Sequence, residues 1–499
     1  MRQQLIPMRQ IVSSDDWRPV YHLSPAAVLP RIGDDWHSVA DSAVELHDGW
    51  RFSDRVESDW YLRHVALRDP AHRDSATGEY LQIPATPEER ERAGQYKKTI
   101  ECERFYRMRH VGDMELHVNA VLMEQPTINQ LNACVVPGDV VVRRVGHVGA
   151  ALVTRFHRRH PVDANIAILR GLDSHQAVWV TYCLNQSIYR SYFEQAGAIG
   201  PMVRVGLKQL ASMPLAECPK AFDVLADQFW FHYERQVQAD DHLQRLRGEV
   251  ADWIAGRLQE RVLFSNGSGL VARFFHAEDI GQTLNYSATE QNQIRRELIQ
   301  EHECVPLSHL AEVNPKGGST PEESDRILKI GDLTGQLDIL LDSAQSSDSR
   351  WRYHRRPLRP LSVLVSTFVQ EPKVALFTDV QSVKTFASEQ LAVLNFHHTP
   401  GAYALLLETD LVRQQIVRLA TGTVQRFVQP EFFKQIVVPV IETEIAKDWH
   451  QRMIDIQRNK AEARRALVRL KDEMYSVYRQ VHPELEGIDQ DSNIQEASV

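Results

Sequence analysis

The chain has 499 residues, too many for a single hydrophobic core, so two or more domains are expected. Hydrophobic residues make up 43% and charged residues 25% of the chain, which is ordinary for a soluble globular protein. The net charge of −9 excludes a coat of positive charge over the whole surface, but it still permits a local basic face.

Cysteine usage and hydropathy narrow the class of protein. The five cysteines are scattered and form no Cys-x-x-Cys pair, so neither a zinc knuckle nor a disulfide framework is indicated. No apolar run approaches the roughly 20 residues of a membrane span, and the N-terminal residues lack the apolar core of a signal peptide. These features predict a cytoplasmic protein with free thiols and no membrane span.

The first half of the chain is predicted to hold a globular domain at residues 20–216, preceded by a loose N-terminal arm at residues 1–19. Residues 137–139, Pro-Gly-Asp, are typical of a tight turn, and the β-branched run that follows predicts a strand. Residues 150–156 are predicted to form the neighbouring strand.

Helical patterns follow these strands. Residues 178–195 are predicted to form a helix that ends at Gly197, because glycine favours a helix C-terminus. Residues 220–262 are predicted to form a long helix with a heptad seam, and residues 263–303 a linker. The seam positions are Leu225, Phe229, His232, Gln236, Ala239, Leu243, Leu246, Val250 and Trp253.

The second half repeats this order. A second globular domain is predicted at residues 304–440, with strands at 327–333 and 360–366 that resemble those of the first half. A second long helix is predicted at residues 441–480, and residues 481–499 are predicted to be a disordered acidic tail. The seam of this helix is formed by Ala446, Trp449, Met453, Ile456, Lys460, Ala463, Leu467, Leu470 and Met474.

Three landmarks of the first half return at one constant step of 225 residues. The pairs are Ile166 with Leu391, Gly197 with Gly422, and Pro214 with Pro439. A long internal repeat fixes the architecture, so the chain is predicted to consist of two related halves. Antiparallel pairing of the two helices would place the two globular domains at opposite ends of a spacer, related by a pseudo-twofold axis.

This order of domain, helix, domain and helix resembles the specificity subunits of type I restriction-modification systems. The resemblance is carried by residues 137–149 and 196–214 and by their partners at residues 359–366 and 421–439. It covers roughly residues 20–480. In that family each block closes a target recognition domain, and a long helix follows at once.

The resemblance implies an α+β fold with two repeated α/β target recognition domains, separated by two long helices that form an antiparallel coiled coil. It implies a non-catalytic, DNA-binding subunit of a restriction-modification or related phage-defence complex. Such a subunit recognises a bipartite double-stranded DNA target and docks DNA adenine methyltransferase subunits, while participation of a restriction-translocase subunit is left open. The resemblance implies no cofactor for the chain itself.

A DNA-processing enzyme, either a nuclease or a modification enzyme with an unrecognised active site, is the alternative function. The sequence contains no methyltransferase catalytic loop, glycine-rich cofactor turn or P-loop. Glu371 and Lys373 have the spacing of a metal-nuclease motif, but Pro372 between them favours a turn between strands. Histidines such as His157 and His160 lack ligand-type spacing with Cys or Asp, so no metal site is expected. A scaffold of a defence complex is a third hypothesis.

Basic residues cluster after the predicted strands in both halves. Arginine contacts phosphates and binds guanine through two hydrogen bonds, so one cluster in each half would suit two DNA half-sites. The competing interpretation of any single arginine is a solvated face paired with Asp or Glu. The predicted DNA-binding residues are Arg143, Arg144, His147, Arg155, Arg158, Arg159, Arg352, Arg355, Arg356, Lys373 and Arg426.

Overall fold

A computed structural model describes residues 36–39, 45–48, 102–118, 121–124, 134–146, 149–157, 160–190, 205–257, 298–299, 303–315, 325–339, 356–368, 372–378, 384–421 and 426–481. Strands and helices are mixed along the described chain, which confirms the expected α+β class. The chain divides into two compact units. Unit 1 comprises Met1–Gln238 and Ala463–Val499, and unit 2 comprises Ala239–Glu462.

Unit 1 is organised around a five-stranded sheet. Its elements are β1 (Trp36–Ser38), β2 (Glu45–Asp48), β3 (Cys102–Phe105), β4 (Met114–Glu115), β5 (Val121–Glu124), β6 (Val140–Arg143), β7 (Ala150–Leu152), β8 (Ile166–Arg170), α1 (Ser174–Leu184), α2 (Leu207–Ala211), β9 (Pro214–Ala216) and the first part of α3 (Asp223–Arg257). The sheet order is β2-β8-β6-β7-β4, in which only β4 joins its neighbour in parallel. Strand β1 pairs with β9, and β3 with β5.

The central strands of this sheet are buried on both faces. In β6, Val140 and Val142 share a core with α1 and α3, whereas Val141 belongs to a second core on the opposite face. An uninterrupted apolar run is what such burial requires. The turn before β6 contains Gly138 at a φ of 91°, a left-handed conformation that glycine adopts without strain. The predicted turn, the strand after it and its pairing with β7 are confirmed.

Helix α1 departs from the single helix predicted at residues 178–195. It begins earlier, because Asp173 and Gln176 form a capping box in which each side chain accepts the other's backbone N–H. It is interrupted at Asn185, whose amide accepts a hydrogen bond from the Ala150 N–H at 3.1 Å and donates to the Ala150 carbonyl at 2.7 Å. The side chain of Asn185 therefore ties the end of α1 to β7, and helical backbone resumes two residues later.

Unit 2 has a four-stranded main sheet. Its elements are β10 (Cys304–Pro306), α4 (Leu307–Leu310), β11 (Ala311–Val313), β12 (Arg326–Leu328), β13 (Arg356–Pro357), β14 (Val363–Ser366), β15 (Val374–Leu376), β16 (Thr385–Ala387), β17 (Leu391–Phe396), α5 (Pro400–Leu407), α6 (Asp410–Leu419), β18 (Val437–Pro439) and the first part of α7 (Thr443–Val481). The sheet order is β11-β17-β14-β15, antiparallel throughout. Strands β12, β16 and β13 form a smaller sheet, and β10 pairs with β18.

The two long helices contribute to the core of each unit. Helix α3 belongs to unit 1 up to Gln238 and to unit 2 beyond it, and α7 belongs to unit 2 up to Glu462 and to unit 1 beyond it. In unit 1, the Tyr233 hydroxyl of α3 accepts from the Leu116 N–H at 2.7 Å and donates to the Leu152 carbonyl at 3.1 Å. These bonds attach the helix directly to the strand edges of the domain.

Within unit 2, the segments of α3 and α7 run antiparallel. Three contacts join them: Trp253 with Trp449, 5.4 Å between ring centroids; Glu249 with Arg452, at 2.6 and 2.7 Å; and Asp240 with Lys460. Because residue numbers fall along α7 as they rise along α3, the two segments have opposite directions.

The main sheets of the two units contain equivalent backbone hydrogen bonds, 223 to 225 residues apart. The equivalent bonds are Arg144 N to Asn165 O and Thr367 N to Gln390 O; Val205 N to Arg144 O and Val428 N to Thr367 O; and Gly138 N to Val153 O and Leu361 N to Phe377 O. Met114 and Leu337 both have positive φ, 63° and 59°, and both bridge in parallel to an alanine of the neighbouring strand.

Several predicted features lie outside the described residues. They are the N-terminal arm, the landmarks Gly197 and Gly422, residues 258–262 of the first long helix, most of the linker at residues 263–303, and the acidic tail beyond Val481. In the part of the chain that is described, no helix is long and apolar enough to cross a membrane.

Candidate nucleic-acid interface

Arg143 ends strand β6, and its side chain lies over Gly149, just before β7. A Cβ atom on Gly149 would lie 3.1 Å from Nη2, so glycine at this position leaves room for the guanidinium. The side chain is half-buried, and burial lowers the pKa of Arg143, with a further lowering by the charge of Arg190. Within the described residues its shielded Nε has no hydrogen-bond partner. The group therefore has donors available for an external anion.

Arg144, the next residue, has a different environment. It is 4% exposed, and its Nη2 donates to the Ala164 carbonyl at 2.5 Å. Its backbone also joins two neighbouring segments, through Asn165 and Val205. Arg144 thus supports the backbone around the strand end, and its charge is directed into the protein.

Arg155 has the environment of the competing interpretation. Its side chain is 68% exposed, and Nη2 lies 3.1 Å from Oε2 of Glu234 on α3. The guanidinium also lies 5.0 Å from the centre of the Phe156 ring. Because an exposed ion pair of this kind contributes little stability, exchange of Glu234 for a phosphate would cost little.

In unit 2, Arg356 begins β13 and is half-buried. Its Nη1 donates to the Leu391 carbonyl at 3.2 Å. Burial lowers the pKa of Arg356, and the negative charges of Glu431 and Glu389 oppose this effect. Arg356 therefore has carboxylates nearby, whereas the charge that acts on Arg143 is a second cation.

Lys373 and Arg426 each bind a backbone carbonyl. The Lys373 ammonium donates to the Leu333 carbonyl at 2.8 Å, and Arg426 Nη2 donates to the Val417 carbonyl at 2.8 Å. Both side chains have further donors beyond the one used. Arg426 is exposed and stands beside Phe427, which is 40% exposed. The remaining predicted residues, His147, Arg158, Arg159, Arg352 and Arg355, lie outside the described residues.

Sequence reasoning missed a group of charges near Arg143. Arg190 Nη2 lies 3.8 Å from Asp113 Oδ1, and Lys471 Nζ lies 3.7 Å from Asp113 Oδ2. Lys471 also lies 3.5 Å from Glu115. No spacing in the sequence relates Arg190 to Arg143, because the helix interruption at Asn185 is what brings Arg190 near the end of β6.

The described side chains offer hydrogen-bond donors and no metal-ligand set. Within the ranges described above, no group of three or more His, Cys, Asp or Glu could hold a metal ion. His157 is buried; its Nδ1 accepts from the Thr154 N–H at 2.9 Å, so Nε2 carries the hydrogen and donates to the Leu116 carbonyl at 2.8 Å. Burial lowers the pKa of His157 to about 4, which makes it a neutral structural residue near pH 7.

No protein-family model matches the chain, and no curated protein matches it. Among solved structures, it is similar to the type I restriction-modification system S subunit from M. genitalium, with 10% identity and a TM-score of 0.38 over 89% of this chain and 95% of that one. It is similar to a chain from a structure on complex assembly and conformational transition of the type I R-M system, with 12% identity, a TM-score of 0.25 and coverage of 77% and 91%. It is also similar to the HsdS subunit from Thermoanaerobacter tengcongensis, with 12% identity, a TM-score of 0.22 and coverage of 77% and 90%.

Proposed function

We propose that this chain is the DNA sequence-recognition (specificity) subunit of a type I restriction-modification or related phage-defence complex, without catalytic activity of its own. In this proposal, residues 20–216 and 304–440 are target recognition domains, and each recognises one half of a bipartite double-stranded target. Helices α3 and α7 form the spacer and dock DNA adenine methyltransferase subunits. The chain works in the cytoplasm, and a restriction-translocase subunit is a further partner in restricting systems.

The observation that carries the proposal is the recurrence of one backbone arrangement in the two units. Equivalent hydrogen bonds of β6 and β14 with their neighbouring strands occur about 224 residues apart. Two copies of one domain, each with basic side chains near its strand ends, suit a target with two half-sites. An enzyme with one active site has no need of this duplication.

The surfaces of the long helices support the docking part of the proposal. Val224 and Phe231 on α3 are 63% and 60% exposed, and they are one heptad apart, so they lie on the same helix face. Large exposed apolar side chains on one face are typical of a surface that another protein covers. In unit 2, the antiparallel contacts of α3 with α7 support the spacer part.

The acidic balance of the chain bears on how it binds DNA. Affinity for duplex DNA depends on counterion release by clustered Lys and Arg, and a net charge of −9 opposes it. We therefore expect weak binding by the chain alone and tight binding in complex with methyltransferase subunits that add basic surface. Tight, sequence-specific binding by the isolated chain would contradict this dependence.

Methylome sequencing tests the proposal. The chain, expressed with the adenine methyltransferase encoded beside its gene in a host free of DNA methylation, should produce a bipartite methylated motif with a fixed gap. Replacing residues 305–438 with the corresponding domain of a relative should change one half of the motif only. A change in both halves, from a chimera that folds, is incompatible with independent recognition domains.

Two further arms examine the spacer and the enzyme alternative. Inserting about seven residues, one heptad, in register into both α3 and α7 should lengthen the gap and leave both half-sites unchanged. The purified chain, incubated with an oligonucleotide and a divalent metal or S-adenosylmethionine, should carry out no reaction. Turnover in that assay would favour a nuclease or a modification enzyme instead.

A further inference from the structure

We infer that Arg143 and Arg190 together bind one phosphate group of the DNA backbone. The inference rests on the proposed DNA-recognition function and deepens it, because it assigns a contact to the backbone and not to a base. It also adds Arg190, which the sequence gave no reason to include.

Both arginines are held by rigid backbone. Arg143 ends β6, and its guanidinium lies over Gly149, where a side chain would leave only 3.1 Å to Nη2. Arg190 lies in the helical turn after Asn185, and Asn185 fixes that turn to β7 through its two hydrogen bonds with Ala150. Two guanidinium groups carried by adjacent, fixed elements form a preorganised site, which reduces the entropy lost on binding.

The charges around the pair are unbalanced. Among the described residues, Arg143 makes no ion pair, and its shielded Nε has no hydrogen-bond partner. The carboxylate of Asp113 faces both Arg190 and Lys471, at 3.8 and 3.7 Å. Half-buried like charges are unfavourable unless an anion joins them, so a ligand with negative charge would stabilise this arrangement.

The chemistry favours phosphate over a base edge. Arginine and phosphate form short, charge-assisted hydrogen bonds, often two in parallel. A base edge is neutral and cannot offset the repulsion between two guanidinium groups. In addition, Arg143 is half-buried, so its exposed nitrogens can meet a group that approaches the surface but cannot extend into a groove.

The site belongs to unit 1. In unit 2, Ser366 ends β14 at the place that Arg143 has at the end of β6, and its hydroxyl donates to the Phe368 carbonyl at 3.2 Å. Ser366 is fully buried and carries no charge. The two proposed half-sites would thus be held by different backbone contacts, and removal of Arg143 should affect one of them.

The test uses the full-length chain with two probes. Thermal unfolding is measured in inorganic phosphate and in chloride at equal ionic strength, and binding of a mixed-sequence duplex is measured as a function of salt. The variants are Arg143→Gln, Arg190→Gln, the double variant and Arg143→Lys. Arg245→Gln is the matched control, because Arg245 is 65% exposed and pairs only along its own helix with Asp241. Unfolding in chloride checks that each variant is folded.

Phosphate should raise the unfolding temperature of the wild type and of Arg245→Gln, but not that of either glutamine variant of the pair. Each single variant and the double variant should lower the salt slope by about one, because a shared phosphate is lost only once. Arg143→Lys should retain most of the slope. A double variant that loses about two, or phosphate stabilisation that survives Arg143→Gln, overturns the inference. Wild-type protein that binds no duplex at any salt concentration would instead show that the proposed function is wrong.

Discussion

The two units of this protein build the same turn with different side-chain chemistry. In unit 1, buried Asp139 before β6 accepts the N–H three residues earlier at 2.8 Å and binds Arg170 through hydrogen bonds of 2.9 and 2.7 Å. In unit 2, Ser362 before β14 accepts the equivalent N–H at 3.0 Å and donates to Asn395 at 2.7 Å. A charged pair in one unit thus corresponds to a neutral hydrogen bond in the other.

A second pair of equivalent residues shows the same difference. His110 in unit 1 accepts the Arg107 N–H through Nδ1 at 3.0 Å, and Asp332 in unit 2 accepts the Lys329 N–H through Oδ2 at 2.7 Å. Both residues close a short 3-10 turn before a residue with positive φ.

These differences show which property of the fold is kept. A buried backbone N–H must find an acceptor, so each turn retains an acceptor at the same place. Any side chain with a suitable oxygen or nitrogen can fill that role. The two units should therefore respond differently to mutation and to pH, although their main-sheet hydrogen bonds are equivalent.

The largest difference should appear where a long helix meets the loop with the positive-φ residue. In unit 2, Arg247 binds Glu408 through two hydrogen bonds of 2.7 Å and also reaches the Gly335 carbonyl and Gln336. Glu408 is 15% exposed. Arg247→Met should destabilise unit 2 by about 3 to 4 kcal/mol, because a mostly buried carboxylate loses its partner. Hydrogen exchange of peptides from β14 and β17 measures this loss.

Lys471 is the matched residue in unit 1. It reaches Asp113 and Glu115 at 3.7 and 3.5 Å, and it is 26% exposed. Lys471→Met should cost less than about 1 kcal/mol, measured on peptides from β6 and β8, because the carboxylates left behind are solvated. Equal losses in the two units would contradict the contrast between a buried and a solvated pair.

Acid should destabilise unit 1 before unit 2. Burial lowers the pKa of both His110 and His157 from 6.5 to about 4, with nearby arginines adding to the effect at His110. The unfolded chain takes up these protons below pH 6.5, whereas the folded unit resists them until about pH 4. Stability is therefore fully present above pH 6.5 and falls between pH 6.5 and 4, by about 3 kcal/mol for His157.

Hydrogen exchange at pH 7, 5.5 and 4.5 measures this effect, with the peptides of unit 2 as the internal control. His110→Asp introduces the residue that unit 2 has at this turn, and it should remove the share of the acid sensitivity that His110 causes. If the protection of unit 1 is unchanged between pH 7 and pH 4.5, the burial of the two histidines does not control its stability.

Exchanging the turn residues sharpens the comparison between Asp139 and Ser362. Asp139→Ser should destabilise unit 1 by about 2 kcal/mol, because Arg170 loses two hydrogen bonds while retaining the Cys134 carbonyl. Adding Arg170→Asn should recover part of this loss, since the pair then has the chemistry that unit 2 uses. Urea unfolding of the single and double variants gives the coupling energy. A double variant that is less stable than either single variant would show that the two turns are not interchangeable.

The sequence predicted the elements that have local signals. Pro137 and Gly138 mark the turn before β6, and the heptad seams mark α3 and α7, because turn chemistry and long periodicity need no knowledge of the tertiary fold. The interruption of the helix at Asn185 had no such signal. Its cause is a hydrogen bond to Ala150, and a contact between residues so far apart in sequence is not visible in the local pattern.

The candidate interface was less predictable than the fold. Arg143 and Arg144 are adjacent and chemically identical, yet one is half-buried with donors available and the other is 4% exposed and donates to a carbonyl. Their side chains leave the strand on opposite sides, so the same residue type has two environments. Arg190 lacked any signal, because its position depends on the interruption at Asn185.

The smallest effect, and the last contrast between the units, concerns the start of the helix that covers each sheet. His175 in α1 lies 2.9 Å from Asp227 and 3.4 Å from Asp223, and the hydrogen bond with Asp227 raises the pKa of His175. Its contribution is therefore present below pH 6.5 and is lost as the pH rises through the folded pKa. In unit 2, His450 accepts the Gly401 N–H at 3.0 Å at the start of α5, and burial lowers the pKa of His450. Its contribution has the opposite sign: it is present above pH 6.5 and is lost as the pH falls. His175→Ala should cost less than about 1 kcal/mol at pH 6 and almost nothing at pH 8.5, because the pair is exposed. His450→Ala should cost about 1 kcal/mol at pH 8.5 and less at pH 5.5. Thermal unfolding of both variants across this range measures the two trends, and parallel trends would contradict the assigned environments.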